Sequence, residues 1–165
     1  MIDCVLDVDT GVDDAHALLL ALRHPRINVV GITTVAGNSD VKTCTQSTLK
    51  VLDAACARVD MPVAMGCAAP LIEPTHYCPQ IHGNDSLGDL HPSLPTSERA
   101  IVPEHAVTFL ANLLRTRVAA ELAPLTLIAL APLTNIAMLV RMEPELFKNG
   151  VERIVWMGGA AFSGY

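Results

Sequence analysis

Four aspartates fall within eight residues near the start of the chain, in the string Asp7-Val8-Asp9-Thr10-Gly11-Val12-Asp13-Asp14-Ala15. Carboxylates this close repel one another unless something positive neutralises them. A hard cation with oxygen ligands does that, and calcium tolerates the irregular, high-coordination geometry that a turn can supply. Such a cluster therefore points to a metal-binding or catalytic role. Local helix chemistry explains part of the pattern. Thr10 and Asp13 have the spacing of a capping box, and acids at a helix start are favoured by the macrodipole. That accounts for Asp13 and part of Asp14, but not for Asp7 and Asp9 in an otherwise apolar strand.

Two other readings start from the same residues. Asp7-x-Asp9-Thr10 looks like the nucleophile motif of haloacid-dehalogenase-type phosphatases, in which the first aspartate attacks phosphorus. The continuation through Asp13 and Asp14 fits that poorly, because two more anions would face an incoming phosphate. An EF-hand loop also fails, since its glycine and distal glutamate are not at the required offsets.

The elements that must position these residues alternate between strand and helix. Cys4 to Val8 is a short β-rich run, and from Val12 to Arg23 the residues Ala15, Leu18, Leu19 and Leu22 recur at helical spacing. Pro25 ends that helix by pushing His24 out of the helical region. Ile27 to Val35 reads as a strand buried on both faces. A second helix is expected from about Asp40 to Arg58, with Val41, Thr48, Leu49, Leu52 and Cys56 on one side. Pro62 to Met65 gives a third strand. Pro103 is expected to open a helix reaching about Arg117, Leu125 to Ala129 forms a fourth strand, Pro132 begins a helix ending near Arg141, and Val151 to Met157 is a fifth strand. Alternation of this kind predicts an α/β, Rossmann-like fold, a mostly parallel sheet with helices on both faces. The acidic string then sits at the C-terminal edge of the first strand, where such sheets bind ligands.

One stretch breaks the rhythm. From about 66 to 102, Pro70, Pro74, Pro79, Pro92 and Pro95 stand among histidines, glycines and polar residues. A loop this long inside a compact domain is uncommon and often a lid or binding loop; a solvated excursion is the alternative. After the fifth strand comes Gly158-Gly159-Ala160-Ala161-Phe162-Ser163-Gly164-Tyr165, with no helix to cover that strand. Truncation after about the fifth strand is the expectation, because parallel sheets are covered on both faces.

The bulk properties are permissive. With 165 residues, 51% of them hydrophobic, the chain suits one globular domain. A formal net charge of -6 argues against nucleic acid or an anionic membrane as partner. No stretch approaches the ~20 uninterrupted apolar residues that span a bilayer. Five cysteines, Cys4, Cys44, Cys56, Cys67 and Cys78, form no C-x-x-C pair. Most are assigned to helix or strand, which points to a reducing, cytoplasmic setting.

The acidic string resembles the D-x-D-x-G-x-D-D-A signature of the inosine-uridine nucleoside hydrolase family. Further likeness follows in order: Ile32-Thr33-Thr34-Val35-Ala36-Gly37-Asn38, Ile81-His82-Gly83, Leu133-Thr134-Asn135-Ile136-Ala137 and Val155-Trp156-Met157-Gly158-Gly159. It covers the whole chain, residues 1–165, but about the first half of a typical family member. The resemblance implies calcium-assisted hydrolysis of the N-glycosidic bond of ribonucleosides. It makes Asp9 a calcium ligand and the base that takes a proton from water, Asp14 a second calcium ligand, and Leu130 a backbone carbonyl ligand. Asp13 and Asn38 would bind the ribose, and Asp7 would support the others. His82 and Asn84 correspond to the substrate-side loop, and Met157 to a side chain near the sugar. For His82 the alternative is an exposed loop histidine, and for Met157 plain core packing.

The family's later histidine and final aspartate have no counterpart before Tyr165, so the resemblance implies an incomplete site and little activity from these residues alone. It also implies a homo-oligomer, dimer or tetramer. Two alternatives stand beside it: a catalytically inactive paralogue acting as an interaction module, and a phosphohydrolase using Asp7.

Overall fold

A computed structural model describes residues 1–90 and 94–159. Residues 91–93 of the long loop, and the stretch 160–165 in which truncation was expected to leave the fifth strand uncovered, lie outside the described residues.

Five strands, β1 (Ile2–Val8), β2 (Ile27–Thr34), β3 (Val63–Met65), β4 (Leu125–Ala129) and β5 (Val151–Trp156), form one sheet in the order β3-β2-β1-β4-β5. Every pairing is parallel. The chain builds outward from β1 to β3, then crosses back and builds outward the other way through β4 and β5. The reversal lies between β1 and β4, the kind of switch point where open α/β sheets open a crevice beyond the strand ends.

Alternation along β1 divides the core. Cys4, Leu6 and Val8 belong to one cluster with Leu18 of α1 (Val12–Arg23) and Leu49 and Leu52 of α2 (Val41–Ala54). Val5 faces the other way, into a cluster with Leu110 and Leu114 of a helix at Ala106–Ala119 and Ile136 and Leu139 of another at Thr134–Met142. Helices therefore cover both faces, as the sequence predicts. Each fully buried leucine contributes roughly 1.5–3 kcal/mol to holding these layers together.

Several element boundaries differ from expectation. The long loop contains a single helical turn, α3 (Pro79–His82). The helix expected from Pro103 begins as α4 at Ala106, where the His105 ring accepts from the Val107 N–H at 3.3 Å. Pro132 precedes α5 (Thr134–Met142) rather than starting it, and α6 (Pro144–Gly150) was not anticipated. Helix α2 starts one residue after Asp40, whose carboxylate accepts from the Lys42 and Thr43 N–H groups, and it ends before Arg58. Cys56 is consequently exposed, just past the end of that helix, not on its buried face. All five cysteines are free, and Cys56, Cys67 and Cys78 lie outside helix and strand. No helix among the described residues is long and apolar enough to cross a membrane.

Candidate active site

The C-terminal ends of the strands bring the acidic string together with residues from far along the chain. Asp9, Asp13, Asn38, Leu130 and Met157 line one cleft of about 320 Å³, with Ala131, Pro132, Leu133 and Trp156. These residues follow β1, β2, β4 and β5, so the parallel topology itself produces the convergence. Met157 is 59% exposed at this cleft and is not packed in the core of the described residues.

Asp7 lies under the cleft, not in it. It is buried, and its Oδ1 accepts from Thr33 Oγ1 at 2.6 Å and from Asn135 Nδ2 at 2.8 Å. Its backbone carbonyl accepts from Leu130 N–H at 2.9 Å, tying the end of β1 to the segment after β4. Burial pushes the Asp7 carboxyl up to about 6, against the two hydrogen bonds. A carboxylate so enclosed is no nucleophile for a phosphoryl group, so the Asp7 phosphohydrolase loses its geometric basis.

Asp9 and Asp14 are both buried and both perturbed. Burial raises Asp9, and burial followed by the Asp9 carboxylate pushes Asp14 up to about 8. Asn38 bridges them: its N–H donates to Asp9 Oδ2 at 2.8 Å, and its Nδ2 lies 3.3 Å from both the Asp9 carbonyl and Asp14 Oδ2. The capping pattern differs from the expected Thr10–Asp13 box. Gly11 is the N-cap of α1, and Asp14 accepts the Gly11 N–H at 3.0 Å. Thr10 instead bonds Thr48 at 2.7 Å.

His82 is buried, which overturns an exposed loop histidine. Its Nδ1 lies 3.3 Å from the Val12 N–H and 3.8 Å from Asp13 Oδ1. One nitrogen cannot accept from the first and donate to the second at once. The shorter contact makes Nδ1 the acceptor of the Val12 N–H in the first turn of α1. Asp13 itself is exposed at the cleft, whereas Asn84 is exposed in a turn held by Asp89.

The donor set suits a hard cation in kind. Asp9 and Asp14 offer carboxylate oxygens, Leu130 lines the same cleft as Asp9, and Asp14 Oδ1 is buried with no hydrogen-bond partner. An orphaned buried carboxylate oxygen is costly unless something positive meets it. No group of three His, Cys, Asp or Glu side chains among the described residues is gathered to hold a metal, so backbone, substrate or water oxygens must complete any cation shell.

Reasoning from the sequence missed Asn135 as a site-building residue, although it stands in a quoted motif. Its amide donates to Asp7 and to the Thr34 carbonyl at 2.9 Å and accepts from the Cys67 N–H at 2.9 Å. A buried, hydrogen-bonded asparagine at a helix start leaves no signal beyond its residue type.

A family model described as inosine-uridine preferring nucleoside hydrolase matches residues 4–164. The chain is 37% identical over 161 residues to the inosine-uridine preferring nucleoside hydrolase of Leishmania major, covering 97% of this chain and 49% of the relative. It is 39% identical over 157 residues to the pyrimidine-specific ribonucleoside hydrolase RihA of Shewanella sp. (strain MR-7), covering 95% and 47%. The solved structure of a plant nucleoside hydrolase, PpNRh1, superposes with a TM-score of 0.84 at 33% identity, covering 96% of this chain and 48% of that one. The chain spans about half the length of the curated relatives it matches.

Proposed function

From the premise that the chain belongs to the inosine-uridine preferring nucleoside hydrolase family, we propose that it supplies the cation- and ribose-binding side of a site that hydrolyses ribonucleosides to base and ribose. The observation that carries this reading is the placement of Asp9, Asp13 and Asn38 around one cleft, with the orphaned oxygen of Asp14 behind them.

Asp9, Asp14 and the Leu130 carbonyl are the oxygens that would hold calcium. When bound, the cation would fix the ribose diol and make a nearby water more acidic. Asp9 would take a proton from the attacking water as its oxygen adds to the anomeric carbon and the bonding pair of the C–N bond leaves with the base. Asp13, exposed at the rim, accepts from a ribose hydroxyl, and Asn38 holds Asp9 and Asp14 in register beside the sugar. The sugar passes through a cationic, oxocarbenium-like state, which the carboxylates favour electrostatically. Direct attack by water needs no covalent intermediate. His82 acts from the loop side and Met157 packs against the sugar. Asp7 supports the others from below.

The site these residues build is one side of a larger one. On β5 and just beyond it, Val155, Trp156 and Met157 are more than half exposed, so the cleft stands open there. The test is to add calcium and a panel of ribonucleosides, with Asp9→Ala as control, following ribose by a reducing-sugar assay and calcium by calorimetry. Calcium binding that Asp9→Ala removes, with little ribose release, is the expected result. Ordinary turnover by the chain alone would overturn the incomplete site, and absence of both calcium and nucleoside binding would overturn the assignment.

A further inference from the structure

Helix α2 carries an unusual face. Cys44, Thr45, Ser47 and Thr48 are all buried, polar or thiol-bearing, and set at helical spacing on one side. Together they reach three segments of the active-site rim: the turn after β1, the end of β2 and the long loop. Cys44 Sγ lies 3.2 Å from the Asp9 carbonyl, and Thr45 Oγ1 lies 2.7 Å from Thr34 Oγ1 at the end of β2. Ser47 Oγ donates to the Asp85 carbonyl of the long loop at 2.8 Å, and Thr48 Oγ1 lies 2.7 Å from Thr10 Oγ1.

Counting protons fixes the direction of two of these bonds. Thr45 Oγ1 donates to the Val41 carbonyl at 2.6 Å, and Thr48 Oγ1 to the Cys44 carbonyl at 2.9 Å. A hydroxyl has one hydrogen. For every contact to be made, Thr34 and Thr10 must therefore be the donors to Thr45 and Thr48. The rim segments hang from α2 by their own hydroxyl hydrogens.

We propose that Thr48, with Cys44 one turn before it, is a positioning residue that holds the Asp9–Asp14 turn in its metal-ready arrangement. The Cys44–Asp9 contact and the Thr10–Thr48 bond hold two adjacent residues, the first at its carbonyl and the second at its side chain. The Asp9 carboxylate belongs to the first of them, and Gly11, the N-cap whose N–H meets Asp14, directly follows the second. The metal-ready part of this inference rests on the calcium reading above; the positioning part does not.

Replacing Thr48 by valine removes the hydroxyl at nearly constant volume, whereas Thr48→Ser keeps it. Amide hydrogen exchange of the Gly11 and Asn38 N–H groups, which donate to Asp14 and Asp9, reads the turn directly. Thr48→Val is expected to speed exchange at those two amides at least tenfold, with Leu6 and Leu127 in the strands unchanged and Thr48→Ser close to the parent. Equal exchange in the valine and serine variants, or a uniform rise across the strands, would overturn positioning by Thr48. Calcium titration of the same samples separates the two readings. If the exchange pattern holds but the parent binds no calcium, the positioning role stands and the calcium assignment falls.

Discussion

Asn135 Nδ2 lies 2.8 Å from Asp7 Oδ1, joining the start of α5 to the end of β1 in a fully buried contact. The same amide spans to the β2 end and to the segment after β3 through Thr34 and Cys67. One side chain thus pins three parallel strands at the edge where the cleft opens.

Asn135→Ala should therefore cost far more than its size suggests. It takes one of the two hydrogen bonds from the buried Asp7 carboxylate, leaving that of Thr33, and removes the Asn135 partner of the Thr34 carbonyl and the Cys67 N–H, each loss worth about 1–3 kcal/mol. We expect a loss of about 3 kcal/mol and a Tm lower by about 6–12 °C. Thermal unfolding by circular dichroism checks this, and a fall below about 2 °C would show that Asn135 is dispensable.

Much of the fold was legible because its signals are local. The helix at Val12–Arg23 was read to the residue, since Pro25 and the leucine spacing act within a few positions. Strand order was not legible, because the reversal between β1 and β4 depends on pairings across the whole chain. The α4 start was misplaced: proline at 103 is a permissive signal, whereas the His105 cap depends on a ring position that sequence does not encode. In the site, carboxylate spacing points to the acidic cluster as a whole, and above all to Asp7 and Asp9, which capping does not explain; the separate roles of Asp9 and Asp14 come from the family resemblance. The inward hold of Asp7 by Thr33 and Asn135 was invisible, because those three come together only when the sheet forms.

The raised carboxyls make a signed prediction about pH. In the folded state Asp7 titrates at about 6 and Asp14 at about 8, against an ordinary value of 3.8. The folded state holds those protons more tightly, so the stability associated with them is full below about pH 4 and is lost as pH rises through 6 and then 8. The metal-free chain should melt several degrees lower at pH 8 than at pH 5. Saturating calcium should shrink that difference by neutralising the carboxylates. A metal-free Tm that rises steadily over the same range would contradict it.

Asp14→Asn separates function from stability. The amide oxygen can still accept the Gly11 N–H, while the charge repelling Asp9 is gone. Without calcium at pH 8 the variant should be more stable than the parent by about 1–2 kcal/mol, or about 3–6 °C in Tm. Its Tm should no longer rise with added calcium. A variant that is both destabilised and still calcium-responsive would remove Asp14 from the cation site.

Two glycines at the rim offer a sharper contrast. A Cβ on Gly37 would run into Asp9 Oδ2, with the Asp9 Cγ and Pro132 Cδ each at 2.9 Å. The carboxylate is the only soft partner in that set, so Gly37→Ala should displace Asp9 from the cleft and leave the strands in place. A Cβ on Gly66 would instead meet the Asn135 amide and, at 2.5 Å, the Thr34 carbonyl, which is backbone and cannot step aside. Gly66→Ala should therefore unseat the hub that pins the strands and destabilise the fold by about 1–3 kcal/mol. Calorimetry and thermal melts on the pair separate the two effects. Gly37→Ala should weaken calcium at least tenfold, about 1.4 kcal/mol, with a small change in Tm. Gly66→Ala should lower Tm first and calcium affinity only as a consequence. The reverse pattern would mean that Asp9 is held by the fold as a whole, not by the narrow contact with Gly37.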